Sequence, residues 1–540
     1  MRAPTLAAIS VGALLASLVA AVPAQAEGAR ETTRIDQKAL RWMPCEDLEP
    51  LGDETLECAT LTVPMSRNGT DGETVRVALS RVPATGTAEH TLLVNPGGPG
   101  SAGRRWASYT HRRMSPELRE VYDVVSFDPR GVGASTPSIT CDPAYFDPPR
   151  PDGVPADADA EAVLRADAEA YAAACAENTG PLLDHVRTED TAHDMDAIRI
   201  ALDLEEIDYL GYSYGSYLGT VYSALYPDRV RALVLDSVVG PDNPWYESNL
   251  RQSAALDRSA RGFFEWVARH HASYGLGADA EEVEAAYYGL RSELARDPVD
   301  GVVGPTELES SVIVVAYSGG TWPAVAAALA DRIVDGDATA LKRLHAAYGE
   351  TAESDNGYGG YLAVQCTDSR WPKDWATWRA DTEEVHDTAP FMAWHNTWYN
   401  APCATWDAEV EDWFQVGYGP YEHPAYRGDA LIVHATGDGA TPVEGSHALR
   451  NRLPGSALVI EEGGLTHGVS LTGNACVDEI VRGYLLDGEL PERVRGDGPD
   501  AVCRARPEPA PRAPQSAADP LLDRLGSAAL ERPTGAGTPE

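Results

Sequence analysis

Short apolar runs, each ending in a glycine-rich or acidic turn, recur along much of the chain. The clearest are residues 91–95, 121–128, 207–213, 232–239, 430–436 and 457–461. Continuous apolar runs of this length predict strands buried on both faces, as in a parallel sheet. Ahead of them, residues 56–83 alternate apolar and polar positions (Leu61, Val63; Val75, Val77, Leu79), which predicts an antiparallel start. Amphipathic stretches lie between several runs. One is 191–204, where Met195, Ile198, Ile200 and Leu202 suit a crossover helix. Strand–helix alternation of this kind predicts a doubly wound α/β domain.

The alternation stops between Pro244 and about Trp413. Helical patterns (253–273, 280–295, 322–333) follow one another there without strand signals, and ten of the twelve tryptophans fall between Trp245 and Trp413. The pattern predicts a mostly helical insertion, residues 244–413, that splits the α/β core into 27–243 and 414–503. From Arg504 the chain is rich in Pro, Ala and Arg, and residues 504–540 are expected to form a poorly ordered tail.

The first residues change the expected compartment. Met1-Arg2, an apolar stretch over 6–22 and Ala24-Gln25-Ala26 make the pattern of a secretory signal peptide, residues 1–26. Ser10, Gly12 and Ser17 interrupt the apolar stretch, which favours cleavage over retention as an anchor. No later stretch approaches a membrane span, so the mature chain is expected to be soluble and extracellular. Eight cysteines, an even number in an exported chain, then suggest disulfides, with sequence neighbours as the simplest pairing. No C-x-x-C or Cys/His ligand spacing occurs, so neither a metal nor a cofactor is implied. With 83 acidic against 43 basic residues the net charge is −40. That excludes a generic nucleic-acid binder, which needs clustered cations.

The strongest chemical signal is Gly211-Tyr212-Ser213-Tyr214-Gly215, a G-x-S-x-G between a predicted strand and a predicted helix. In that setting the serine sits on a tight strand-to-helix turn, with its hydroxyl exposed as a nucleophile. It needs a base, and the base needs an orienting acid. Asp438 follows the 430–436 run in Gly437-Asp438-Gly439-Ala440-Thr441-Pro442, and His467 follows the last run in Gly463-Gly464-Leu465-Thr466-His467-Gly468. His447 falls in a predicted helix and His434 within a strand. Asn95-Pro96-Gly97-Gly98-Pro99-Gly100 can present backbone amides to a substrate oxygen, and the amides of Gly98 and Tyr214 are the candidate oxyanion hole. Asp128-Pro129-Arg130-Gly131-Val132-Gly133-Ala134-Ser135 reads as a structural turn at the border of the site. Asp368, which ends a short apolar run beside Cys366, is the candidate ligand for a substrate amino group.

Taken in order, Asn95–Gly100, Asp128–Ser135, Gly211–Gly215, Asp438–Pro442 and Gly464–His467 resemble the secreted tripeptidyl aminopeptidases of actinobacteria, proline-iminopeptidase-like α/β-hydrolases. The resemblance spans roughly residues 41–503. It implies an α/β-hydrolase sheet with a helical lid. It also implies a serine exopeptidase that releases short peptides from the free N-termini of peptides or proteins through an acyl-enzyme. Proline iminopeptidases carry His where this chain has Asn95, which weakens a transfer of single-proline specificity. The same triad would serve an esterase, lipase or thioesterase, and fold alone does not separate them. A non-catalytic binding protein would have little use for an intact triad.

Overall fold

The computed structural model describes residues 40–512, apart from 68–71, 243–244, 409, 411 and 417–425. The expected signal peptide, the start of the insertion at Pro244 and residues 513–540 of the expected tail lie outside the described residues. Ten strands form one sheet: β1 (Met43–Pro44), β2 (Glu57–Pro64), β3 (Thr74–Val82), β4 (His90–Asn95), β5 (Tyr122–Phe127), β6 (Ile207–Tyr212), β7 (Val230–Asp236), β8 (Ala430–Ala435), β9 (Ser456–Glu462) and β10 (Ala501–Arg504). Their order is β1-β2-β3-β5-β4-β6-β7-β8-β9-β10. Pairing is antiparallel from β1 to β5 and parallel from β5 to β10. The six apolar runs therefore became β4 to β9. β6 and β8 are buried at every position, because helices cover both faces of the sheet.

β10 had no apolar run to announce it. It is a four-residue edge strand whose central Cys503 is anchored to Cys476. The other bridges are Cys45–Cys58, Cys141–Cys175 and Cys366–Cys403, so all eight cysteines pair with sequence neighbours.

Between β7 and β8 the described residues are helical, including Trp245–Arg269, Pro305–Val312, Trp322–Val334, Asp355–Asp368 and Ala393–Asn400. This cap has its own apolar centre around Phe263, Trp266, Leu308, Trp322 and Leu341. A second piece of the cap was not anticipated: the chain between β5 and β6. Its helix Ala158–Thr179 is rich in Ala and acids, so its apolar face is faint in the sequence. The same piece reaches the insertion through Trp398 Nε1, which donates to Gly153 O (2.7 Å), and Tyr171 Oη, which donates to Asp355 Oδ1 (2.7 Å).

The tail expectation needs correction for residues 504–512. Ala505 N donates to Glu462 O at 3.0 Å. Trp266 Nε1 donates to Pro509 O at 3.1 Å, and Arg512 N donates to Tyr274 Oη at 3.0 Å. A Pro-rich strap whose polar groups find partners on a neighbouring surface has the same composition as a disordered tail. Composition alone could not tell them apart.

Candidate active site

β6 ends at Tyr212 and the helix Tyr214–Leu225 begins two residues later, which forces Ser213 to turn the chain alone. Its φ is 56° and ψ −126°, a conformation that costs a non-glycine residue on the order of 1–3 kcal/mol. The turn is possible because Gly211 and Gly215 let strand and helix touch. A Cβ on Gly211 would lie 2.2 Å from Gly215 O. The loop after β4, the neighbouring strand, lies over the turn. Gly97 has φ +99°, and a Cβ there would stand 2.9 Å from Ser213 Cβ and 3.0 Å from Tyr214 N.

Asp438 follows β8 and His467 follows β9. Asp438 is buried and its Oδ2 lies 2.8 Å from His467 Nδ1, with Oδ1 at 3.0 Å. Its orientation is fixed by three further donors: Ala440 N (2.9 Å) and Thr441 N (3.0 Å) to Oδ1, and Thr441 Oγ1 (3.0 Å) to Oδ2. Burial pushes the Asp438 carboxyl up, but the charge and hydrogen bond of His467 outweigh it and hold it at about 2. Burial likewise pushes the His467 imidazole down, and the charge and hydrogen bond of Asp438 reverse this, leaving it above its ordinary 6.5.

Cap and core loop meet at the histidine. His467 N donates to Tyr317 O (2.8 Å), and the Tyr317 ring stands edge-on to the imidazole. Beneath, the Asp236 carboxylate accepts from Val469 N (3.0 Å) and Ser470 N (2.5 Å), fixing the loop after His467. His434 is a packed strand residue, with Nε2 on Thr441 O (2.9 Å) and Nδ1 accepting from Val238 N (3.1 Å).

Ser213, His467, Thr441, Gly98 and Tyr214 line one cavity of about 450 Å³, roofed by cap residues such as Asn249, Gln365 and Tyr361. The hydroxyl of Ser213 makes no hydrogen bond among the described residues. Tyr214 is the first residue of its helix, where backbone N–H groups have no intrahelical partner.

Asp368 does not line this cavity. Its carboxylate accepts from Thr188 N (2.9 Å), Thr188 Oγ1 (2.6 Å) and Trp245 Nε1 (3.4 Å), and burial pushes its pKa up to about 7. It joins the end of one helix to the start of another and has no face turned to a ligand. The one Asp or Glu that does line the cavity among the described residues is Glu350, which sequence reasoning missed. Glu350 also borders an adjoining cavity of about 310 Å³, with His395 and Tyr399 as common wall. The turn at 128–135 is structural: Asp128 accepts from Arg104 N and Ala134 N, and Arg130 forms a two-point pair with Asp194.

Two family models match the chain, "alpha/beta hydrolase fold" over residues 90–286 and "TAP-like protein" over 389–503. The tripeptidyl aminopeptidase of Streptomyces lividans is 38% identical over 468 residues, covering 84% of this chain and 85% of the relative. The chain belongs to the tripeptidyl aminopeptidase family. Within this family it is a serine hydrolase of the α/β-hydrolase fold. Serine protease Hip1 of Mycobacterium tuberculosis is 30% identical over 482 residues, covering 84% of this chain and 89% of the relative. A protein of the same organism named carboxylesterase B is 32% identical over 511 residues, covering 90% and 96%. A tripeptidyl aminopeptidase family member needs a nucleophile, a base and an end-recognising group, and the cavity offers a candidate for each.

Proposed function

We propose that this chain is a secreted serine exopeptidase that releases short peptides, tripeptides foremost, from free N-termini. The observation that carries this reading is the Asp438–His467 pair at the wall of the cavity onto which the Ser213 elbow opens. Ser213 Oγ attacks the scissile carbonyl carbon and passes its proton to His467 Nε2. The amides of Gly98 and Tyr214 hold the oxyanion. His467 then gives the proton to the leaving amine, and water repeats the sequence on the acyl-enzyme. Export accords with the leader pattern at 1–26 and with four disulfides, which persist in oxidising compartments. Among the described residues no helix is long and apolar enough to cross a membrane.

His467 works as a base only when neutral. Its pKa stands above 6.5, so lowering the pH through that value protonates it and removes activity. Protonation of Asp236, which burial raises to about 6, loosens the adjacent loop in the same direction. The pH profile of kcat/KM should therefore show an acidic limb centred above 6.5. A limb centred below 6 contradicts the assignment of His467, or the strength of its pairing with Asp438.

An exopeptidase must recognise the one end of a peptide that carries an ammonium. Glu350 takes the place of Asp368 as the group that does so. Arg150 contacts Glu307 (3.2 Å) and Glu350 (2.7 Å), while Arg291 contacts Glu309 and Asp152. Carboxylates outnumber guanidinium groups two to one in this cluster, and Glu309 Oε2, buried without a hydrogen bond, lies 3.9 Å from Nδ1 of His395, a residue of the cavity wall. A substrate ammonium would find carboxylates in excess over guanidinium groups there. An N-acetyl cap removes it, so tripeptide anilides should be cleaved roughly 10²-fold better than their acetylated forms by kcat/KM. Glu350→Gln should erase most of that preference. Equal cleavage of capped and uncapped substrates would rule out end recognition and turn the assignment to an endopeptidase or an esterase. The relative named carboxylesterase B gives the esterase reading its support, and a panel of acyl esters beside the anilides separates the two.

A further inference from the structure

The walls that cap and core supply to the cavity differ in charge. Glu350 lies on the wall from the cap. The wall from the core and strap contains Arg113 and Arg506 and, among the described residues, no acid. Arg113 ends the helix Arg105–Arg113. Its guanidinium lies 3.4 Å from the centroid of the Tyr109 ring and its Nη1 donates to Tyr109 O (3.2 Å). Arg506 belongs to the strap after β10, and its Nη1 donates to Thr472 O (2.7 Å) in the loop that follows His467. Arg113, Arg506 and the two residues that hold them, Tyr109 and Thr472, all line this one cavity, and the Tyr109 hydroxyl feels both guanidinium groups together with the buried Asp236 carboxylate. Neither forms an ion pair among the described residues. Asp478, whose carboxyl feels Arg506, turns Oδ2 to Gly473 N (2.9 Å) instead. In a chain of net charge −40, two cations without ion pairs on the wall of the candidate catalytic cavity, Arg113 half-buried and Arg506 exposed, are a local excess of positive charge.

We propose that Arg113 and Arg506 form a carboxylate-binding subsite for the leaving portion of the substrate. The proposal rests on the reading above. With the substrate ammonium at Glu350 and the scissile carbonyl at Ser213, the chain beyond the cleaved bond runs toward the helix Arg105–Arg113 and the loop at Thr472. Guanidinium groups bind carboxylates through paired, charge-assisted hydrogen bonds. Stacking on Tyr109 and the bond to Thr472 O hold the two forks in place before substrate arrives. Two sources offer the carboxylate: the free C-terminus of a peptide only a few residues longer than the released tripeptide, or an Asp or Glu side chain just after the cleaved bond in a longer one.

The test uses the whole enzyme and matched peptides with one acyl tripeptide. One arm compares a pentapeptide ending in a free carboxylate with its C-terminal amide. The other compares longer amidated peptides with Glu or Gln as the second residue after the cleaved bond. The carboxylate form should be favoured about tenfold in kcat/KM at low salt in at least one arm, which identifies the source, and about 0.5 M salt should shrink the preference because the site is partly open to solvent. In the doubly substituted Arg113→Gln, Arg506→Gln enzyme the ratio within each pair should fall toward one. A ratio of one in both arms for the unsubstituted enzyme overturns the subsite, as does a preference that survives both substitutions. N-acetylated copies of the same peptides keep the two readings apart. Loss of carboxylate preference with acetyl discrimination intact overturns the subsite alone, and absence of peptide cleavage overturns both.

Discussion

Replacing Ser213 by alanine should leave a folded protein whose kcat is lower by roughly 10⁴-fold or more. The fold is expected to survive because the hydroxyl has no hydrogen-bond partner, so its removal strands no buried group. Alanine keeps the Cβ, and the positive φ at this position strains Ala and Ser alike. What vanishes is the only atom at the elbow that can form an acyl-enzyme. The variant should melt like the parent and fail to react with a fluorophosphonate. A purified variant that turns over tripeptide anilides at a near-normal rate would remove Ser213 from the mechanism.

Asp438→Asn should cost on the order of 10⁴ in kcat while sparing the fold, and the surrounding donors say why. Ala440 N and Thr441 N both point at Oδ1, so an asparagine is driven to keep its carbonyl oxygen there. Its amide NH₂ then occupies the place of Oδ2, facing His467 Nδ1. A donor in that place makes Nδ1 the acceptor and moves the ring proton to Nε2. The nitrogen that should take the Ser213 proton is thereby blocked. Thr441 Oγ1, which donates to Oδ2, can rotate and accept instead, so no group is left unpaired. Proton NMR of the imidazole should report the changed tautomer alongside the lost rate. If Asp438→Asn keeps its activity while another acid's replacement abolishes it, the triad acid has been misplaced.

Ser213, Asp438 and His467 stood out as candidates in the sequence because each follows a continuous apolar run, and parallel sheets put the ends of such strands side by side. The same logic found β4 to β9 and overlooked β10, a short edge with one buried residue. Thr441 was within reach: Asp-Gly-Ala-Thr after a strand is a turn in which the aspartate binds amides two and three residues on. Glu350 was not. It stands between the helix Thr339–Tyr348 and the turn at Thr351, in a sequence with no periodicity or motif. Its pairing with Arg150, 200 residues earlier, gives it a place. Asp368 drew notice because it ended an apolar run near a cysteine, but such a position serves equally to knot two helices together. The cap contribution from 158–179 stayed hidden because alanine-rich helices carry little apolar contrast.

The cap is fastened to the core beside the site on several sides. Ser259 Oγ donates to Gly437 O (2.9 Å), Gln252 Nε2 to Ala440 O (2.7 Å) and Gly319 N to Leu465 O (3.2 Å). The strap crosses from β10 to Trp266 and Tyr274. Swinging such a roof aside would break all of these bonds together, so the cap is expected to stay in place while substrate enters. A polypeptide has to enter end-first, with its leading residues already unravelled. Proteins whose first strand or helix is docked against their own body should then be spared, and frayed ends and peptide fragments should be trimmed. The choice of victim is then made by conformation before any side chain is inspected.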